Sequence, residues 1–287
     1  MTAFVVGSDA RVTSPTFVDL DGLAAATDAT PTLAVVSART GETLAAPTVT
    51  ASGTTGVYQA TLTAATHLAE VDRLSLTWAG EVDSAARSLS AVVDVAGGVY
   101  VTTTELSLLR TVPQSGSSLD SVRFWRDSFE ALAEEARGVA YVPRLAVETR
   151  PGSGLCRLMV GHRQVRSVVS IEIDGTAQSL TDVTGTADGY IDAPFAFPAG
   201  ASIAVVYEHG YDAPPGALVA ACREYVRSKL LAETSDQGRN VIAFTNLATG
   251  EQFRYGTADW SAGRFTGLED VDALIRSVPD ERFVGIA

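Results

Sequence analysis

The sequence predicts a two-part α+β protein, with a β-sandwich in residues 1–97 and a helical core carrying an inserted β module in residues 98–287. Three observations predict this class. Residues 1–97 repeat short alternating apolar runs between turn-prone segments, as β-sandwiches do. An apolar stripe at helical spacing begins at Leu119. Strand-like runs then return before a second helical segment, and strands within a helical frame indicate the α+β class.

Alternating runs in the first part are the candidate strands. After a first strand within residues 1–12, they are Thr16–Leu20, Thr32–Ala38, Val57–Thr63, Arg73–Trp78 and Ser88–Val95. We expect Tyr58 and Trp78 to pack in the core rather than to form a sugar-binding platform. The pattern resembles the immunoglobulin-like modules that are often appended to phage structural proteins. The segment Ala96–Gly98 would form a hinge after this part.

Helical patterns fill residues 103–138. Thr103 or Thr104 would cap a short helix. In the next helix, Leu119–Arg137, apolar residues recur at steps of three and four, and Gly138 would end it in the left-handed conformation. The opposite face of this helix is charged and is either solvated or in contact with a neighbouring subunit. It carries Arg123, Asp127, Glu130, Glu134 and Arg137.

Residues 140–211 read as the β module. Its candidate strands are Leu145–Glu148, Leu155–Val160, Val165–Ile173 and Ser202–Tyr207. Asp174-Gly175 is a strong hairpin signal. The acidic residues around Gly185 and Gly189 lack the spacing of a calcium loop, so we expect a solvated loop there.

A strand-to-helix corner follows, and the second long helix is expected over residues 213–233. Asp212 would cap this helix, and the two prolines after it fit a helix start. We expect His209 and Tyr211 to pack at the corner rather than to bind a ligand.

The residue pattern of the last segment, residues 238–287, predicts a hairpin followed by a tail with a short helix near residues 268–278. It is rich in aromatic side chains, which must be buried either in this chain or on a partner. These are Phe244, Phe253, Tyr255, Trp260 and Phe265.

The composition and net charge of the chain limit the classes of function that it can have. Hydrophobic residues make up 46% of the 287 residues and charged residues 19%, as in folded chains. No apolar run approaches the ~20 residues of a membrane span and no signal peptide is recognisable, so we expect a protein made in a cytoplasm. The net charge of −13 excludes nucleic-acid binding through a broad basic face, whereas acidic walls would repel DNA sliding through a pore.

Patterns of catalytic residues are absent from the sequence. His67, His162 and His209 have no histidine three or four residues away, and neither a G-x-S-x-G elbow nor a P-loop occurs. Cys156 and Cys222 are expected to be buried free thiols, with a disulfide left open. We therefore expect no enzyme activity and no catalytic, metal or cofactor site.

Residues from about 100 to 287 resemble the head-to-tail connector (adaptor) proteins of tailed bacteriophages. The likeness lies in the order of the segments. These are two helices, a β module ending in Val205–Pro215, a long helix, an aromatic hairpin and a final segment, Thr266–Leu274. Connectors of this type lack the N-terminal sandwich, whose binding partner the sequence leaves open.

This resemblance implies a structural protein of the virion neck. It would form a homo-oligomeric ring of about twelve copies, a dodecamer, between the portal protein and a tail-side neck or stopper protein. Genomic DNA would pass through the ring without sequence-specific contacts. The candidate assembly interface is Arg123, Asp127, Glu130, Phe244, Phe253, Tyr255, Trp260 and Phe265.

Two alternatives remain open at this point. One is a phage tail or baseplate protein whose β-sandwich binds a host glycan or a partner. The other is a hydrolase or metalloenzyme with an unrecognised site.

Overall fold

A computed structural model describes residues 3–107, 119–234, 243–245, 252–254 and 265–279. Within these ranges the protein is mixed α+β, with many strands and few helices, which confirms the predicted class. The first part contains β1 (Ala3–Val5), β2 (Ala10–Thr13), β3 (Thr32–Ser37), β4 (Thr43–Leu44), β5 (Val49–Ala51), β6 (Tyr58–Leu62), β7 (Asp72–Val82) and β8 (Ala85–Ala96). The second part contains α1 (Thr103–Ser107), α2 (Leu119–Arg137), β9 (Arg144–Pro151), β10 (Arg157–Met159), β11 (Val165–Ile173), β12 (Thr176–Ala177), β13 (Thr184–Gly185), β14 (Tyr190–Asp192), β15 (Ser202–His209), α3 (Gly216–Thr234), β16 (Ala243–Thr245), β17 (Gln252–Arg254) and α4 (Glu269–Arg276). Among the described helices, none is both long and apolar enough to span a membrane.

Two sheets of the first part pack on one hydrophobic core. Their strand orders are β1-β8-β7-β3-β4 and β2-β6-β5. β7 and β8 form a long antiparallel hairpin, and β1 joins β8 in parallel. Alternate residues of β6 and β7 face the core, so Tyr58 and Trp78 are buried as predicted.

The predicted strand at Thr16–Leu20 is wrong. Residues 17–25 form a loop because Asp19 Oδ1 accepts hydrogen bonds from the backbone N–H groups of Asp21 and Leu23, which turns the chain back. The predicted first strand is also divided in two. A turn after Val5 lets β1 join one sheet and β2 the other.

The long helix α2 has the predicted bounds. Phe129 on its apolar face is fully buried. Gly138 ends the helix with φ +71° and donates its N–H to Glu134 O at 2.7 Å, as the sequence predicts.

The cap of α1 is Thr102 rather than Thr103 or Thr104. Thr102 Oγ1 accepts from Glu105 N at 3.2 Å, and Glu105 Oε2 accepts from Thr102 N at 2.9 Å. This reciprocal pair is a capping box, which requires Thr and Glu three residues apart.

The β module has two small sheets, of order β12-β11-β15-β9 and β10-β14-β13, with a hydrophobic core of their own. β11 has the predicted bounds, and its antiparallel pairing with β12 encloses the expected Asp174-Gly175 turn. Cys156 lies in the loop before β10 and is exposed, so the expectation of burial is wrong for this residue. Cys222 is buried, and both thiols are free.

At the corner, α3 begins at Gly216, directly after the second proline. The prediction that Asp212 caps α3 is wrong. This carboxylate is 86% exposed and lies 2.7 Å from Arg166 Nη1 instead. Tyr211 packs at the corner as expected, stacked on Tyr141 with ring centroids 5.8 Å apart.

Helices α2, α3 and α4 share one hydrophobic core in the second part. Leu218 and Val226 of α3 are fully buried there, as are Val271 and Ile275 of α4. The predicted hairpin is confirmed where it is described, since β16 pairs with β17 in antiparallel register.

Candidate functional site

The second part is centred on a buried ionic cluster around Arg144, the first residue of β9. Its Nη2 donates to Glu134 Oε1 at 3.0 Å and to Glu130 Oε2 at 3.3 Å, and its Nε lies 3.1 Å from Glu134 Oε2. The two glutamates lie one turn apart on α2, so one guanidinium bridges both carboxylates. Arg126 extends the cluster, with Nη2 2.6 Å from Asp127 Oδ1.

Burial controls the protonation of this cluster. It raises the pKa of Glu130 to about 7, although the hydrogen bond from Tyr100 N and the charges of Arg144 and Arg126 act to lower it. Burial raises the pKa of Glu134 too. Burial also opposes the charge on Arg144, but the two carboxylates raise its pKa overall. The guanidinium therefore stays charged, while burial makes Glu130 much easier to protonate than an exposed glutamate.

The segment that leads out of the first part is held beside this cluster. Tyr100 N donates to Glu130 Oε1 at 2.8 Å. Gly97 N donates to Pro143 O at 2.9 Å, and a Cβ at Gly97 would lie 2.7 Å from the Pro143 ring. The segment Ala96–Gly98, predicted to be a hinge, is therefore held against the residues that lead into β9.

Arg39 makes a second link between the two parts. Its Nη1 donates to Glu208 Oε1 on β15 at 2.5 Å and to Val71 O at 3.1 Å, while its Nε lies 2.7 Å from Glu70 Oε2. Because Arg39 follows β3, this link ties the larger sheet of the first part to the sheet of the β module.

A cleft of about 520 Å³ opens beside the cluster, lined by parts of α2, β7, β8 and β9. In it, His162 and His209 stack with ring centroids 4.0 Å apart. Burial lowers the pKa of both, and that of His209 falls to about 3 because His162, Arg144 and Arg73 also disfavour its charge. Within the described ranges, nothing hydrogen-bonds His209 Nδ1. Both rings are neutral at pH 7.

Glu148 is the fixed anion of the cleft. Tyr207 Oη donates to its Oε1 at 2.5 Å, Arg150 Nε donates to Oε2 at 2.7 Å, and Gly161 N donates to Oε2 at 3.0 Å. Burial acts to raise the pKa of Glu148, but these hydrogen bonds lower it overall. In the part of the chain that the structure describes, no three His, Cys, Asp or Glu side chains are placed to hold a metal ion. The cleft is therefore a packing junction between α2, strands of the first part and strands of the β module.

Three of the predicted interface residues lie on α2. Asp127 and Glu130 are buried within the chain by the ionic cluster, so the solvated interpretation of this face is wrong for them. Arg123 is half-buried and lines a groove between α2 and the first part. Whether these residues contact a neighbouring subunit stays a prediction, and for Glu130 such contact would require the cluster to open.

Three of the five predicted aromatic interface residues lie within the described ranges. Phe244 and Phe253 lie opposite each other in the β16–β17 pair. Phe265 is buried in the helical core, where the Arg137 guanidinium lies 5.8 Å from its ring centroid. Tyr255 and Trp260 lie outside the described residues.

Sequence reasoning named Glu130 and Glu134 only as residues of a charged face and missed the arginines that pair with them. Arg126 and Glu130 are four apart on a helix, which was a readable signal for an ion pair. Arg144 had no such signal, because its partners are ten and fourteen residues away on another element. Sequence reasoning also did not identify Phe124, which is 59% exposed on α2.

Comparisons with known proteins found similar structures only. No family model matches the chain, and no curated protein matches it significantly. One similar structure is a chain from the neck of an empty gene transfer agent (GTA) particle computed with C6 symmetry. It is 15% identical, with a TM-score of 0.39 over 50% of this chain and 82% of that chain. Another, from the virion of a native GTA particle, is 13% identical, with a TM-score of 0.42 over 65% and 92%. At these TM-scores the likeness carries no argument about function.

We expect Arg144→Met to lower the free energy of unfolding by about 3–5 kcal/mol, because it leaves two buried carboxylates without their cation. Urea unfolding monitored by circular dichroism measures this loss. The matched control is Arg157→Met, which removes the exposed ion pair with Asp192 and should cost far less. Equal losses in the two variants would contradict the central role of Arg144.

We expect His209→Asn to make the protein less sensitive to acid. As the pH falls from 7 to 5, histidine in the unfolded chain takes up a proton while buried His209 does not, so folding loses about 2 kcal/mol at this residue. Urea unfolding at the two pH values measures the loss, which should be smaller in the variant. The same loss in both proteins would show that His209 is not held neutral.

Proposed function

We propose that this chain is a structural virion protein of the neck, a head-to-tail connector that forms a ring between portal and tail. The observation that carries the proposal is the order of elements around one core. α2, the inserted β module, α3, the β16–β17 pair and α4 follow one another as in the connectors that the sequence resembles. The helices on either side of the β module return to a common hydrophobic core.

The Arg144 cluster supports a structural role. It fixes α2 to β9 and to the segment that leads out of the first part. A ring subunit needs such rigidity, since the angle between its two contact surfaces decides whether a ring closes. Leu119 and Phe124 are exposed on α2, which gives this rigid frame apolar surface for a neighbour.

The net charge of −13 fits a channel protein that lets DNA slide without holding its phosphates. In this proposal the partners are further copies of the chain, the portal protein and a tail-side neck protein. The chain performs no catalysis, and DNA is cargo that passes through the ring.

The alternative of a tail or baseplate protein with a glycan-binding sandwich has less support. Sugar platforms use exposed aromatic rings, but the aromatic side chains of residues 3–107 are all buried. They are Phe4, Phe17, Tyr58, Trp78 and Tyr100. No second function is proposed on this basis.

We expect the purified full-length chain to form closed rings at high concentration. Negative-stain electron microscopy shows their shape, and mass photometry over a dilution series gives the copy number. Antibody labelling of virions should place the chain at the junction of head and tail. A chain that stays monomeric at high concentration, or label found on the tail tip, would contradict the proposal.

A further inference from the structure

The loop of residues 17–25 presents two leucines to solvent. Leu20 is 81% exposed and Leu23 is 66% exposed, with Val18 beside them also exposed. Large apolar side chains that stand close together in water mark interaction sites more often than isolated ones do.

This loop is held rigidly in place. Asp19 Oδ1 accepts from Asp21 N and Leu23 N, both at 2.9 Å, and Asp19 N donates to Leu23 O at 3.0 Å. Its base is in close contact with Gly56, where a Cβ would lie 2.6 Å from Phe17 O. The leucines are therefore displayed by a fixed loop, which lowers the entropy lost on binding.

The surroundings of the loop are acidic. Asp21 is exposed next to Leu20, and Glu81 and Asp83 are exposed at the nearby turn of the β7–β8 hairpin. Asp28 N donates to Glu81 O at 2.7 Å, which ties the chain just after the loop to that turn. A complementary surface would be apolar with basic side chains.

The chain itself carries such a surface, a groove of about 470 Å³ between β2, β8 and α2. Val92 and Phe124 line it and are both exposed. Arg11 and Arg123 also line it. Asp127 belongs to the lining too, but its carboxylate is engaged by Arg126 at 2.6 Å.

We propose that the leucine loop of one copy docks in the α2 groove of the next copy. This inference rests on the proposed ring and names one of its contacts. Within one chain, the base of the loop is fixed at Gly56 and its leucines stay exposed, so the loop does not fill the groove of its own chain. A loop and a groove at different places on one chain make a head-to-tail contact, the type that closes rings.

Opposite charges on the two surfaces favour the pairing of the loop of one copy with the groove of the next. Copies with a net charge of −13 repel one another, so a stable contact needs local attraction. Asp21 beside the leucines and Arg11 in the groove provide it. The sandwich, the feature that simpler connectors lack, would then add a contact between neighbours at the outer part of the ring.

Mass photometry of the full chain tests the contact. We expect Leu20→Ser/Leu23→Ser to weaken self-association at least about tenfold, because two leucines are no longer buried. The matched control is Leu155→Ser/Met159→Ser, which removes two exposed apolar side chains from the β module and should assemble as the unchanged chain does.

Charge exchange tests the pairing directly. Asp21→Arg alone should weaken assembly, and combining it with Arg11→Glu should restore it. Circular dichroism checks that each variant is folded. If that combination does not restore assembly, the inference is overturned.

The results of these experiments distinguish a failure of the loop contact from a failure of ring formation. If the unchanged chain does not assemble, both proposals fail. If the leucine variant forms rings as the unchanged chain does, the ring stands and the loop contact is wrong. If that variant forms rings but is missing from virions, the loop binds a different virion protein, and the second copy is excluded as its partner.

Discussion

The guanidinium of Arg144 is the contact on which the arrangement of this chain depends. It bridges two carboxylates of α2 from the first position of β9, and one of these carboxylates also accepts the backbone N–H of Tyr100. Three segments of the chain thus meet at one buried charge. Such a cluster gains little net stability over a well-packed apolar core, because each ion loses its hydration. What it provides here is a defined geometry, since the hydrogen bonds form in only one relative placement of helix, strand and linker.

That geometry suits the ring subunit proposed for this chain. The first part is joined to the second through Gly97, Tyr100 and Arg39 rather than by a free linker. The leucine loop and the α2 groove are therefore held at a fixed angle to each other. In a head-to-tail assembly this angle is repeated at every contact, so a small change in it decides between a closed ring and an open filament.

Local patterns in the sequence predicted the elements well but not their partners. The apolar stripe gave both ends of α2, and period-two alternation placed Tyr58 and Trp78 in the core. The predicted cap at Asp212 failed because Arg166, from a distant strand, engages the carboxylate. The charged face of α2 looks solvated in isolation, but Arg144 from β9 covers Glu130, and α4 and Phe265 cover Arg137. Contacts between residues close in sequence were predictable, whereas those set by tertiary packing were not.

The most direct test of the rigid junction is a distance measurement across it. Cys156 is exposed on the β module, and Ser90→Cys would place a second label on β8, while burial raises the pKa of Cys222 and keeps it unreactive. Double electron–electron resonance between spin labels at positions 90 and 156 should give one narrow distance distribution. A broad or bimodal distribution in a protein with native circular dichroism would contradict the claim that the contacts of Gly97 and Arg39, beside the Arg144 cluster, hold the two parts together.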